Sequence, residues 1–230
     1  MNFDDMKFAL EAMTGGKNTV ILDDLGLPSV MVAIPKMKNS EIISGGSDVV
    51  HPAFKVNNVE KDVVYFSKYQ NIVMRDRGYS LPFKNPAVSM DTDAALTYCR
   101  NKGTGWTLTP LPLWAAVALW TRKNSTMPKG NNNCGKDTSE DIYSAIPCAF
   151  SEGQRTKVLT GTGPITWYHD GTLAGIWGLN GNVSEWVGGM RLVYGELQVL
   201  VNNNAADSSH PQTAASAEWK AINATTGAFV

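Results

Sequence analysis

Between Val158 and Ala206 the chain carries only Asp170, Glu185, Arg191 and Glu196 as charged residues, and all of its tryptophans lie from Trp106 onward. The N-terminal hundred residues are instead rich in Lys, Asp, Val and Ile, yet no Pro/Ser/Gly-rich spacer separates the two regimes. One fold accommodates both only if its second half is mostly irregular, held by aromatic anchors and backbone hydrogen bonds. A length of 230 residues is enough for one domain, or one domain with a small appendage, to bury a core without disulfide or metal staples.

The first half reads as alternating short elements. Phe3, Met6, Phe8, Leu10 and Met13 predict a helix over 3–13, stopped by Gly15-Gly16. Strand-like runs follow at 19–22, 29–34, 53–56 and 63–67, each bounded by a turn signal such as Asp24-Leu25-Gly26, Gly45-Gly46 or Asn57-Asn58. A second helix is expected over 91–102, with Ser89 as N-cap and Gly103 as stop. A third is expected over 113–123, entered through Pro110 and Pro112, with Trp114, Val117, Ala118 and Trp120 on its buried side. No regular element is expected between 124 and 166. A hairpin over 191–201, turning at Tyr194-Gly195-Glu196, and a short helix at 214–222 complete the reading.

Several function classes fall away on charge and motif. With 20 Lys+Arg against 21 Asp+Glu, the chain lacks the basic footprint of a nucleic-acid or anionic-membrane binder. No apolar run is long enough to span a bilayer, and the N-terminus lacks the layout of a signal peptide. Walker, GxGxxG, HExxH and GxSxG patterns are absent. His51, His169 and His210 read as turn residues rather than bases, Cys99 as a small core residue, and Cys134 and Cys148 as reduced thiols.

The strongest local signal is Gly178-Leu179-Asn180-Gly181-Asn182-Val183-Ser184-Glu185-Trp186-Val187-Gly188-Gly189. Asn180-Gly181-Asn182 supplies a tight turn that tolerates positive φ, after which Val183 and Trp186 are expected to return to the core. Glu185 is expected to accept from backbone N–H groups of a neighbouring loop. The whole stretch therefore reads as a structural loop clamp.

A family resemblance runs through the same residues. Met31-Val32-Ala33-Ile34-Pro35, His51-Pro52-Ala53-Phe54 and Tyr65-Phe66-Ser67-Lys68-Tyr69-Gln70 resemble the opening strands of the formylglycine-generating-enzyme superfamily. Met90 to Arg100 resembles its first main helix, Leu108 to Trp114 the start of its second, and Gly178 to Trp186 its GNVWEW signature. The resemblance implies an α+β, C-type-lectin-like fold with small antiparallel sheets, two main helices and much irregular loop. The enzymatic branch uses a copper-binding cysteine pair near its C-terminus, and no cysteine follows Trp186 here.

Phe3 to Asn18, Gly130 to Asn133, Trp186 to Leu192, Asn202 to Ser208 and Trp219 to Ile222 are similar instead to variable proteins of diversity-generating retroelements of phages and prophages. That likeness implies a non-enzymatic, ligand- or receptor-binding display protein of a phage tail tip. A decoration or tail component without a host ligand is the first alternative, and a formylglycine-generating-type oxidase the second. Residues 1–26 would form an N-terminal helix and attachment segment, and 27–230 a ligand-binding domain; the family places its diversified stretch C-terminal to these segments, so either this domain is shortened at its C-terminus or its contact surface uses other loops. Expected contact residues are Asn131, Asn132, Asn133, Tyr168, Tyr194, Asn202, Asn203 and Asn204, with Asn180, Gly181, Asn182, Glu185 and Trp186 as structural motif. No cofactor is expected beyond a calcium ion that Asn180 or Asn182 could ligate. Expected partners are a host cell-surface protein or glycan, other virion subunits, and further copies of the chain as a trimer. The expected location is the virion, or else the bacterial cytoplasm before release or the cell surface.

Overall fold

The computed structural model describes residues 2–230. Among the described residues the architecture is α+β, with four α-helices among small antiparallel sheets. The helix α1 (Phe3–Met13) is set by its caps: Asn2 and Asp5 exchange side-chain to backbone hydrogen bonds in a capping box, and Gly15 and Gly16 turn the chain away at positive φ. No residue of α1 is buried, and Met6, Phe8 and Met13 stand exposed. It leans on the following strand through Thr19 Oγ1, which donates to Glu11 at 2.6 Å.

That strand, β1 (Asn18–Leu22), pairs antiparallel with β2 (Pro28–Pro35), and β2 pairs with β5 (Val63–Ser67). Residues 18–22 are thus an edge strand of the main sheet, and within 1–26 only α1 stands off the body. A one-turn helix α2 (Asn39–Ile42) and the pair β3 (Lys55–Val56) and β4 (Val59–Glu60) fill the β2–β5 connection. The strand expected over 53–56 begins instead as a 3₁₀ turn, Pro52–Phe54, because His51 Nδ1 caps it by accepting from Ala53 N–H.

Next come β6 (Ile72–Met74) and β7 (Arg77–Tyr79), the helix α3 (Thr92–Arg100) and the helix α4 (Leu111–Lys123). The N-cap of α3 is Asp91, which accepts from Ala94 N–H at 2.8 Å, rather than Ser89. In α4 the buried stripe is Leu113, Ala116, Val117 and Thr121, so Trp114 faces solvent and Ala118 lies at the margin. The apolar period is legible there but its phase differs by one residue, because the large indole outweighs smaller residues that pack closer. The stretch 124–166 contains a hairpin, β8 (Pro147–Ser151) with β9 (Gln154–Val158), where none was expected. A further hairpin, β10 (Met190–Val193) with β11 (Glu196–Val199), lies close to the expected span of 191–201 and turns at the expected Tyr194-Gly195. It gains an edge strand β12 (Lys220–Ala221) in place of the expected helix at 214–222.

Four of these hairpins turn on two residues, both at positive φ: Asn57-Asn58, Arg75-Asp76, Glu152-Gly153 and Tyr194-Gly195. Such turns match the right-handed twist of the flanking strands. One core packs β2, β5 and α4 together through Val32, Ile34, Phe54, Phe66, Leu113 and Val117. A second gathers Trp167, Tyr168 and Trp177 with Val158 and Ala145. Val32, Ile34 and a partly buried Trp120 serve the core as expected, but Trp114 and Trp186 do not: they are 37% and 50% exposed. Trp167 and Trp177 are the buried indoles.

Candidate functional site

The Gly178–Gly189 stretch is stitched to two other loops through amide side chains. Asn182 Nδ2 donates to Gln70 Oε1 at 2.8 Å and to Val158 O at 3.2 Å. Its Oδ1 accepts from Val158 N–H at 2.8 Å and Asn131 Nδ2 at 3.1 Å. Gln70, buried after β5, donates to the carbonyls of Gly178 and Gly181. Asn180 Nδ2 reaches Pro128 O, and Asn182 N–H donates to Asn131 O. Asn182 sits at φ +66°, a conformation that asparagine tolerates better than most side chains. The expected loop clamp is present, with Gln70 as a member that the motif stretch does not itself contain.

Beside the clamp opens a groove of about 640 Å³, bounded by the end of β5, the start of α3 and the 182–186 segment. Phe66, Tyr69, Tyr98 and Trp186 give it aromatic walls, while Gln70, Asn71, Lys157 and Glu185 supply polar groups. A cleft of this size, mostly apolar with a few converging polar side chains, is the usual form of a small-ligand or peptide site. Trp186 lies at its rim, anchored by an indole N–H donated to Met90 O at 3.0 Å. Its ring is therefore fixed but half open to solvent, not returned to the core.

Glu185 differs from expectation too. Among the described residues no backbone N–H donates to its carboxylate. The residue keeps a solvent face on the groove, yet its carboxyl is closely ringed by protein. Burial pushes the acid up to about 7, against a smaller pull from Gln70. In the folded chain the proton stays on until about pH 7, whereas the unfolded carboxyl loses it near its ordinary 4.5. The stability tied to this group is full below the lower value and is lost as pH rises through the upper one. Replacing Glu185 by Gln should therefore raise the melting temperature relative to the parent at pH 8 and leave it unchanged at pH 4. Thermal melts across that range check it, and a pH-independent gap would contradict the assignment.

The expected contact residues divide by burial. Asn131 and Tyr168 are buried: Asn131 is used by the clamp and by Gly135 N–H, and the Tyr168 hydroxyl donates to Gly161 O. Neither is placed to meet a ligand at the surface. Asn132 is exposed, but its amide is engaged with Asp137 and Thr138. Asn133 is exposed on a bridge with Lys136. Asn202 Nδ2 donates to Asn58 Oδ1, and Asn204 Oδ1 accepts from Asn57 N–H, so this turn is spent on packing against the β3–β4 hairpin. Asn203 is buried. Tyr194 alone is fully open, at the β10–β11 tip.

The histidines hold structure. His169 Nδ1 accepts from Ile176 N–H at 2.7 Å, and burial lowers the ring to about 4, so it is neutral at pH 7. His210 pairs with Glu218 and Asn57. All three cysteines are free, with burial raising the Cys99 thiol to about 11. Among the described residues no group of three or more His, Cys, Asp or Glu side chains could hold a metal ion. The Asn182 carbonyl, one expected calcium ligand, already accepts two hydrogen bonds. No helix among the described residues is long and apolar enough to cross a membrane. No protein-family model matches the chain, and a comparison with curated proteins finds no match.

Proposed function

We propose that the chain is a non-enzymatic binding protein with a C-type-lectin-like fold, a phage or prophage display component that recognises a host cell-surface protein or glycan. The observation that carries this reading is the clamp on Asn182, which ties three loops into a frame that need not reorganise on binding. Preorganisation of that kind lowers the entropic cost of association. The contact surface is the groove at Trp186 together with the β10–β11 hairpin, where Leu192, Tyr194 and Leu197 are exposed. Aromatic and small polar side chains on a rigid frame suit adaptable recognition. The α1 helix, with Met6, Phe8 and Met13 uncovered, attaches the domain to a neighbouring virion subunit.

Sequencing the gene across a phage or host population tests the reading. Substitutions should gather at the hairpin tip and at groove-lining residues outside the clamp, and spare Gln70, Gly130, Asn131 and Asn182. A uniform sequence would turn the assignment towards a fixed structural virion component. A single variant gives a second check. Tyr194→Asn keeps a residue suited to φ +48° and should leave stability within about 0.5 kcal/mol or raise it slightly. Adsorption of the labelled protein to host cells should fall while the denaturation midpoint holds.

A further inference from the structure

The small sheet β10-β11-β12 is closed at one edge and open at the other. At the β12 edge, Ala221 and Val230 exchange both backbone hydrogen bonds, at 2.9 and 3.0 Å, so the segment after β12 covers it. At the β10 edge the pairing stops partway. Leu200 N–H donates to Gly189 O, and the β10–β11 register continues from there, so Gly189, Arg191 and Val193 turn their backbone groups towards β11. Residues of the opposite parity, Gly188, Met190 and Leu192, turn theirs outward. Gly188 is met: it donates to Thr109 O at 2.8 Å and accepts from Leu111 N–H at 2.9 Å. At Leu111 that neighbouring segment turns into α4. Beyond it, the outward N–H and C=O groups of Met190 and Leu192 have no backbone partner among the described residues.

An open edge accepts another strand, and proteins usually blunt it with lysine, proline or a bulge. The β10 edge has none of these. Instead Met190 and Leu192 present apolar side chains on one face, 41% and 71% exposed, with Leu197 paired to Leu192. Where α4 starts, Met190 also lines an apolar pocket of about 330 Å³ with Leu111, Trp114 and Val187. The opposite face carries Arg191, which donates to Gln198 Oε1 and Ala214 O, lies over the Trp219 ring, and has no carboxylate partner among the described residues. This side chain decides the occupant. In a two-fold pairing of two copies, the register that satisfies Met190 and Leu192 in both sets Arg191 against its own equivalent, and like charges directly opposite are destabilising. A foreign strand with a carboxylate at that position is favoured by the same geometry.

We propose that the open edge of β10 takes an extended peptide segment of the partner protein as an added antiparallel strand, with apolar side chains opposite Leu192 and Met190 and a glutamate between them, opposite Arg191. Backbone pairing then supplies affinity, and the alternating side chains specificity. The proposal rests on the reading of this hairpin as a contact surface, and narrows its partner from protein or glycan to protein. The probe is the capped peptide acetyl-Thr-Leu-Glu-Val-Thr-amide, titrated into the full chain while the amide resonances of Met190 and Leu192 are followed by NMR. Both should shift saturably. A peptide with Lys in place of Glu should bind at least about threefold more weakly. N-methylation of the peptide's Leu and Val should abolish binding, because those N–H groups face β10. Leu192→Pro removes an N–H that the fold does not use, at an edge position where proline is tolerated, and should abolish binding with the melting temperature held. No saturable shift, binding that survives N-methylation, or no preference for Glu over Lys overturns the proposal, and the N-methylated peptide decides even if Leu192→Pro fails to fold. Concentration-dependent shifts of the same amides without peptide would give the edge to a second copy and overturn it too. Adsorption of the parent chain to host cells separates the two readings. Peptide binding without adsorption keeps the edge site and removes host recognition, whereas adsorption without peptide binding does the reverse.

Discussion

Gly130→Ala is expected to lose a large part of the fold's stability. A Cβ at this position would lie 1.7 Å from the backbone oxygen of Asn180 and 2.8 Å from its carbonyl carbon. Both are backbone atoms, held by the bridge between Asn131 and Gly181 and by the bond from Asn182 N–H to Asn131 O. No rotamer change relieves such a contact; the two loops must part by more than an ångström, and the clamp opens with them. The expected cost is at least about 4 kcal/mol, a large share of the roughly 5–15 kcal/mol that stabilises an ordinary domain. Gly153→Ala provides the comparison. That residue has φ +78°, but a Cβ there would meet nothing within 4 Å, so it isolates backbone strain, worth about 1–2 kcal/mol. Urea denaturation of both variants should show Gly130→Ala far the less stable. Near-equal midpoints would mean that the loops do not approach this closely.

What is legible in the sequence follows the range of the forces involved. The α1 helix and the strands at 19–22, 29–34 and 63–67 depend on local caps and periodicity, and they appear close to their expected bounds. The Tyr194-Gly195 turn is readable because glycine sits beside a strand-like run. Glu152-Gly153 makes the same kind of turn, but a Glu-Gly pair is a weaker signal than Asn-Gly, and it does not announce the hairpin at 147–158. Tryptophan placement fails for a different reason. Whether an indole is buried depends on partners distant in sequence: Trp177 donates to Thr162 O inside the second core, whereas Trp186 is pinned by Met90 O at a groove rim. Hydrophobicity alone cannot distinguish these two. The asparagines show the same limit. A run such as Asn131 to Asn133 looks like an adaptable contact loop, yet Asn131 and Asn182 satisfy one another across 51 residues of sequence.

Removing the Asn182 side chain is the second large effect, and its two contributions can be separated. The amide makes four hydrogen bonds, to Gln70, Asn131 and both backbone groups of Val158. Loss of all four strands a buried Gln70 carbonyl and the β9 backbone end together, and each such group costs about 1–3 kcal/mol when water does not replace the partner. Partial hydration through the groove softens that sum, so about 3 kcal/mol is expected for Asn182→Gly, which keeps the φ of +66° without strain. Asn182→Ala should cost about 1 kcal/mol more, because alanine in the left-handed region adds its own penalty. Asn182→Asp retains acceptors for Val158 N–H and Asn131 but sets a carboxylate against the Val158 and Gln70 oxygens, so it should behave no better than glycine at neutral pH and recover on acidification. Denaturation midpoints for the three variants, with the aspartate measured at pH 4 and pH 8, test the ordering. If the glycine variant costs less than about 1 kcal/mol, the three loops are held by backbone bridges and the Gly130 approach, and the amide network is secondary to them.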